Sequence, residues 1–219
     1  MLTFKKTLVA AALVSAGAAA QAEVSGSVGI ASSYLWRGFD LGGGSGVVSG
    51  SLDYSSETGV YAGIWGSSGD DSYGTEYDLY LGWGGEVFEG FSVDVGYVDY
   101  NYPDCAAGNT PTNIADPSTI DTCDFEEIVV GFGFGAFGFT YVEPTTSGAD
   151  YNYYAVSGGF GDFSATYGMW DFGAGADGSH LDLTYGMGDL AFTLSQSFDD
   201  GAGLSEEVQF VVSYSIPLD

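Results

Sequence analysis

The sequence is nearly devoid of positive charge. Its 219 residues hold three cations, Lys5, Lys6 and Arg37, against 30 acidic residues, giving a formal net charge of −27. Nucleic-acid binding sets Lys and Arg against phosphates, so this composition excludes that class. The same shortage excludes a coiled coil, whose flanking positions pair opposite charges. No G-X-Y period organises the 36 glycines, which excludes a collagen-like chain. One His and two Cys at this spacing do not make a zinc site. Beyond the N-terminus no window holds 18 consecutive apolar residues, so no transmembrane helix is expected.

Aromatic residues, at 16%, are abundant, which argues against disorder. The N-terminus reads as a signal peptide. Met1–Lys6 is a positive n-region, Thr7–Ala20 an apolar h-region, and Ala20-Gln21-Ala22 fits the A-x-A cleavage pattern. Cleavage after Ala22 is expected, leaving residues 23–219 as one domain with Arg37 as its only cation. Export implies a compartment that permits disulfides. Cys105 and Cys123 flank a segment rich in Asn, Thr, Pro and Asp, and are read as one disulfide closing a long loop. Such a bridge contributes about 3 kcal/mol in the chain-entropy model.

The remainder reads as all-β. Val, Tyr, Phe and Thr recur, Gly breaks every helical window, and period-2 alternation runs through segment after segment. Tyr77, Leu79, Leu81 and Trp83 share one face of a strand, with Glu76, Asp78, Tyr80 and Gly82 on the other. Twelve strands are predicted, over 24–37, 46–54, 59–67, 74–84, 90–100, 125–134, 136–143, 150–160, 163–173, 179–187, 190–198 and 206–216. Of these, 59–67 and 150–160 alternate poorly. The connections alternate too: mostly long and acidic, then mostly tight and Gly-rich. A transmembrane up-and-down antiparallel barrel predicts that pattern, and an even strand number puts both termini on the short-turn side. Twelve spans of about 9–11 residues fit the available length.

Periodicity alone does not say which face is inside. Three features favour a membrane barrel, in which the apolar face points out. The polar face is rich in Gly and Ser, as a crowded or water-filled lumen allows. The apolar face carries no cation. Aromatic residues gather near strand ends, and Tyr34, Trp36, Trp65 and Trp83 are read as an aromatic girdle. The competing architectures are a secreted β-sandwich and a fibre-forming matrix protein, the latter suggested by the low-complexity stretch Gly131–Tyr141.

The motif Ser32-Ser33-Tyr34-Leu35-Trp36-Arg37-Gly38 resembles the Ser-x-Tyr-x-x-Arg-Gly core of the TorF family, small exported proteins of Gram-negative bacteria called porins by inference. The Gly- and Tyr-rich strands that follow look alike across the mature chain. The resemblance implies an outer-membrane barrel without established substrate or catalytic residues. Outer-membrane strands commonly finish on an aromatic. This sequence closes Tyr214-Ser215-Ile216-Pro217-Leu218-Asp219, which leaves Tyr214 for that part. The expected partners are outer-membrane lipid and lipopolysaccharide, the barrel-assembly machinery, and small cationic or neutral solutes. No cofactor and no catalysis are expected.

By alternation Asp53, Glu76, Asp78, Asp94, Glu127, Asp182 and Glu207 face the lumen, with Arg37 at the same parity. Carboxylates in a low-dielectric passage concentrate cations, so the leading expectation is a narrow cation-preferring pore. Arg37 is read either as a lumen ion pair or as a clamp or rim charge at the first long loop. A second expectation is a non-conducting surface barrel that binds partners through its disulfide-bridged loop. A plug of Tyr80, Tyr100, Trp170 and Arg37 would favour it. A third, a barrel lipid hydrolase, rests on His180 beside Ser179 and Asp182, although Ser179 has the opposite parity. The pairs Asp70-Asp71 and Asp199-Asp200 are placed in loops, as solvated acids or weak divalent bridges.

Overall fold

A computed structural model describes residues 22–70, 74–103, 124–173 and 177–218. The expected signal peptide as far as Gln21, both Cys105 and Cys123, and Asp71 lie outside the described residues. Twelve strands form the wall: β1 (Glu23–Ala31), β4 (Val47–Ser55), β5 (Val60–Asp70), β6 (Gly74–Phe88), β7 (Phe91–Asn101), β8 (Phe125–Phe134), β9 (Phe137–Pro144), β10 (Asn152–Phe160), β11 (Phe163–Asp171), β12 (Asp177–Met187), β13 (Leu190–Asp200) and β14 (Gln209–Leu218). Each pairs antiparallel with its sequence neighbours, and β1 pairs with both β4 and β14, so the sheet closes into a barrel. Two further short strands, β2 (Leu35–Trp36) and β3 (Phe39–Asp40), pair only with each other.

Four two-residue turns, at Glu89–Gly90, Gly135–Ala136, Gly161–Asp162 and Gly188–Asp189, join strands at one end of the barrel. Their glycines take φ between 61 and 76°, the left-handed conformation that a tight hairpin requires. The opposite end carries the longer connections. The poorly alternating segments form β5 and β10 nevertheless. Asp70 and Asp199-Asp200 belong to strand ends rather than loops, and Asp199 accepts backbone hydrogen bonds from Gly201 and Leu204.

The wall is apolar outside; its inner face mixes acids, serines and glycines with the apolar and aromatic side chains that surround the inward fold. Every wall strand exposes a large hydrophobic side chain, among them Val28, Leu52, Ile64, Leu81, Val95, Phe132, Phe139, Val156, Met169, Leu183, Leu194 and Phe210. Near the turns, outward rings pair up: Phe88 stacks on Phe91 at 4.7 Å, and Phe163 lies 4.9 Å from Tyr185. Trp83 also points outward and donates from Nε1 to the carbonyl of Thr58 in the first turn, at 2.8 Å.

Three of the expected girdle residues are not on this surface. Tyr34 and Trp36 are buried inside the barrel, and Trp65 faces inward with its ring 5.9 Å from that of Tyr34. The first predicted strand, 24–37, ends at Ala31. From Ser32 the chain leaves the wall and turns into the lumen. Alternation reports side-chain parity along an extended chain, and it cannot register that the chain itself has changed direction.

The buried hydrophobic cluster is this inward fold and the wall around it. Trp36 lies 5.4 Å from Trp170, 6.2 Å from Tyr100 and 6.3 Å from Phe125, while Phe39 lies 5.6 Å from Trp170. A core inside a barrel is what a β-sheet curled on itself offers when the chain supplies its own filling.

Candidate functional site: the inward fold and its acid partners

Ser32 ends the run along the wall, exchanging backbone and hydroxyl hydrogen bonds with Val212 of β14. β2 and β3 then form a miniature hairpin inside the lumen, closed at its base by Leu41 N–H donating to the Tyr34 carbonyl at 2.7 Å and by Ser33 donating to Asp40. Its tip is Arg37-Gly38, with φ of 47° and 89°. Positive φ at both tip positions is the type I′ requirement, for which Asn-Gly is the usual choice. An Arg there costs about 1 kcal/mol or more, because its Cβ crowds the carbonyl.

The contacts of Arg37 offset that cost. Nη1 donates to Glu127 Oε1 at 2.8 Å and Nη2 to Oε2 at 2.9 Å, a parallel fork onto one carboxylate. Glu127, on β8, is 0% exposed and also accepts from Tyr100 at 2.9 Å and Tyr151 at 2.8 Å. The guanidinium lies against three rings, 4.5 Å from Trp36, 5.0 Å from Tyr153 and 5.7 Å from Trp170. The hairpin backbone is held as well. Trp170 Nε1 donates to the Arg37 carbonyl and Ser197 to that of Gly38, both at 2.9 Å. A Cβ on Gly38 would sit 2.8 Å from the Cβ of His180, so the tip is pressed against β12.

Tyr34 ties the fold to a second acid. Its hydroxyl donates to Glu76 Oε2 at 2.6 Å, and Tyr102 donates to Oε1 at 2.7 Å. Burial first, then the charge of Glu76, pushes both phenols well above their ordinary pKa, so they stay donors. On the far wall Tyr153 meets His180 Nε2 at 2.9 Å, His180 Nδ1 lies 3.2 Å from Asp182, and Ser195 donates to Asp182 at 2.6 Å.

Seven of the eight residues assigned to the lumen are inside. Glu76, Asp78, Asp94, Glu127 and Asp182 are buried, and Asp53 is half-buried, holding Tyr80 and Ser51. Arg37 is also inside, though not as a strand residue. Glu207 is a correction: it is exposed in the connection before β14, which begins at Gln209. The predicted strand started at 206, and the parity of a strand residue does not apply to a loop. The structure brings His180 and Asp182 together, enclosed in the lumen, but Ser179 is on the opposite face of β12 and does not join them.

The inner glycines have a specific use. A Cβ at Gly63 would lie 2.5 Å from the Tyr80 ring, one at Gly82 2.3 Å from Tyr61 Oη, and one at Gly168 2.4 Å from Tyr153 Oη. Tyrosines thus lie flat across glycines of neighbouring strands. This brings Tyr80 to Asp53, and Tyr61 to Asp94 at 2.9 Å. Tyr102 and Tyr151, which complete the two acid sites, flank the strands and carry no alternation signal. Tyr153, Trp170, Ser195 and Ser197 have inward parity that strand alternation alone makes legible.

No curated protein matches the chain. Among solved structures, a mutant of the Rh. blastica porin has TM-score 0.40 and 11% identity over 90% of this chain and 100% of the porin. A variant of OccD1 (OprD) has TM-score 0.41 and 10% identity over 89% of this chain and 65% of its own. A family model matches residues 15–169, and the chain belongs to that family, Gcw_chp, described as bacterial proteins of unknown function.

Proposed function

We propose that this protein is an outer-membrane barrel of porin-like build whose passage is held shut by its own first long connection: a gated, cation-preferring channel for small solutes. The observation that carries the reading is the inward fold of Ser32–Gly46 seated across the lumen. Around it Tyr34, Trp36, Arg37, Phe39, Tyr100, Glu127, Val142, Tyr153, Trp170, His180 and Ser197 are all between 0 and 7% exposed. Toward the turns the inner face carries Ser27, Ser51, Gly133, Ser157, Ser213 and Ser215, all half-buried, so solvent reaches the lumen from that end. Membrane residence is supported by the outward apolar band and by wall strands of 8–15 residues. The motif resembling the TorF family, Ser32 to Gly38, is the inward fold itself. Export through a cleaved signal peptide, a Gram-negative outer membrane, lipopolysaccharide and the barrel-assembly machinery as partners, and an absence of catalysis belong to the same reading.

Cation preference is supported by charge. Asp53, Asp78 and Asp94 lie on the inner face between the inward fold and the turns, and Arg37 is engaged by Glu127. The test is conductance in planar bilayers. Wild-type protein should open rarely. A variant with residues 33–46 replaced by a short Gly-Ser turn should conduct continuously and prefer K⁺ to Cl⁻. Anion preference would remove the cation claim. A plugless barrel that refolds and stays closed would favour the second reading, a non-conducting surface barrel that binds partners through its loops. The filled cross-section is what recommends that alternative.

A further inference from the structure

Glu76 and Asp78 lie two residues apart on the inward face of β6, beneath Tyr34 of the inward fold. Residues two apart on a strand share a face, so the two buried carboxyls are set side by side. Two carboxyls placed this way do not both ionise, and one of them holds a proton. The partners show which acid carries it. Each Glu76 oxygen accepts a phenolic hydrogen, Oε2 from Tyr34 and Oε1 from Tyr102, a set suited to an anion. Asp78 is 8% exposed, and its Oδ1 is buried with no hydrogen-bond partner. A bare carbonyl oxygen of a neutral acid is tolerable in such a place, whereas a bare carboxylate oxygen costs far more.

We propose that Asp78 is a proton-binding site coupled to the inward fold. It is protonated and donates to Glu76 while the fold is seated, and it gives up the proton to water when the fold lifts. The surroundings oppose a second charge. Facing Asp78 are Glu76 and Tyr80 on its own strand, Tyr100 and Tyr102 from β7 and its end, Glu127 from β8, and Tyr34 from the inward fold, while Asp99 adds its charge from the outer face of β7. β5 presents Trp65 opposite it, which does not titrate. Lifting the fold removes Tyr34 from Glu76 and admits water, which solvates an ionised Asp78. The closed state therefore binds one more proton than the open state. Rising pH then shifts the balance toward opening, by up to about tenfold per pH unit while that difference of one proton holds.

The inference rests on the gated-channel reading, and the two fail separately. Full-chain protein in planar bilayers should show an open probability that climbs from mildly acidic to alkaline buffer with that limiting slope. Asp78→Asn, which keeps the donor to Glu76 but cannot ionise, should abolish the slope and stay shut. Infrared spectra of the wild type in neutral buffer should contain the carbonyl stretch of a protonated carboxyl, and Asp78→Asn should lose it. A flat or acid-rising open probability in the wild type overturns the proposal, as does an unchanged slope in Asp78→Asn. Should that variant not refold, the wild-type slope and infrared band decide alone. If the plugless barrel conducts and the wild-type response is flat, only the proton site fails. If the plugless barrel does not conduct, the gated reading fails, and the infrared band still tests the proton.

Discussion

Arg37 concentrates the energetics of the lumen in one side chain. Its fork onto Glu127, its three ring contacts and the hydrogen bonds to its own and the next carbonyl all converge on a residue at positive φ. Removing one partner of a buried ion pair costs about 3–5 kcal/mol, because the other charge is left behind. Arg37→Ala should therefore lower the melting temperature, read by fluorescence of the enclosed Trp36 and Trp170, and raise open probability. Arg37→Lys keeps the charge but loses the fork and the stacking, so it should fall between alanine and wild type. Melting unchanged in Arg37→Ala would mean the pair does not hold the fold in place.

The element that matters most is the wall segment β4–β7, where acid–tyrosine pairs span a glycine. Gly82→Val puts a side chain where Tyr61 Oη and the Val95 carbonyl already lie, at 2.3 and 2.6 Å from the new Cβ. Tyr61 must then leave Asp94, and overpacking of this kind costs about 1–3 kcal/mol. Gly66→Ala faces outward with its nearest contact at 3.4 Å and should be close to neutral. Urea unfolding of the two variants in lipid vesicles checks the contrast. Equal stabilities would show that the tyrosines rearrange freely. Of the crowded and the water-filled lumen that the Gly-rich inner face allows, these glycines make the crowded one, because they admit rings.

For the whole molecule, the deciding feature is the reversal of faces. A soluble barrel would place Leu81 and Leu194 inside, yet both stand outward near the middle of their strands, about half exposed. If this surface meets hydrocarbon, Leu81→Arg or Leu194→Arg should destabilise the barrel by about 2–4 kcal/mol in vesicles. An effect near zero would place the band in water and remove the membrane reading. The acids take a matching form: Asp53, Glu76, Asp78, Asp94, Glu127 and Asp182 are on the inner face, and the outward band is apolar.

Alternation by itself determined most of the wall strands and the parity of Glu76, Asp78, Asp94, Glu127 and Asp182, because period-2 patterning is a property of an extended chain and needs no partner. The alternation of long and short connections gave the meander. Only the tertiary structure decided that the chain after Ala31 enters the barrel, that Tyr34, Trp36 and Trp65 form a core rather than a girdle, and that Glu207 is outside. Those outcomes depend on contacts between residues as far apart as Arg37 and Glu127, or Gly38 and Ser197. No local pattern encodes them: a left-handed turn at Arg37-Gly38 is favourable only when a forked carboxylate and three aromatic rings are already arranged around it.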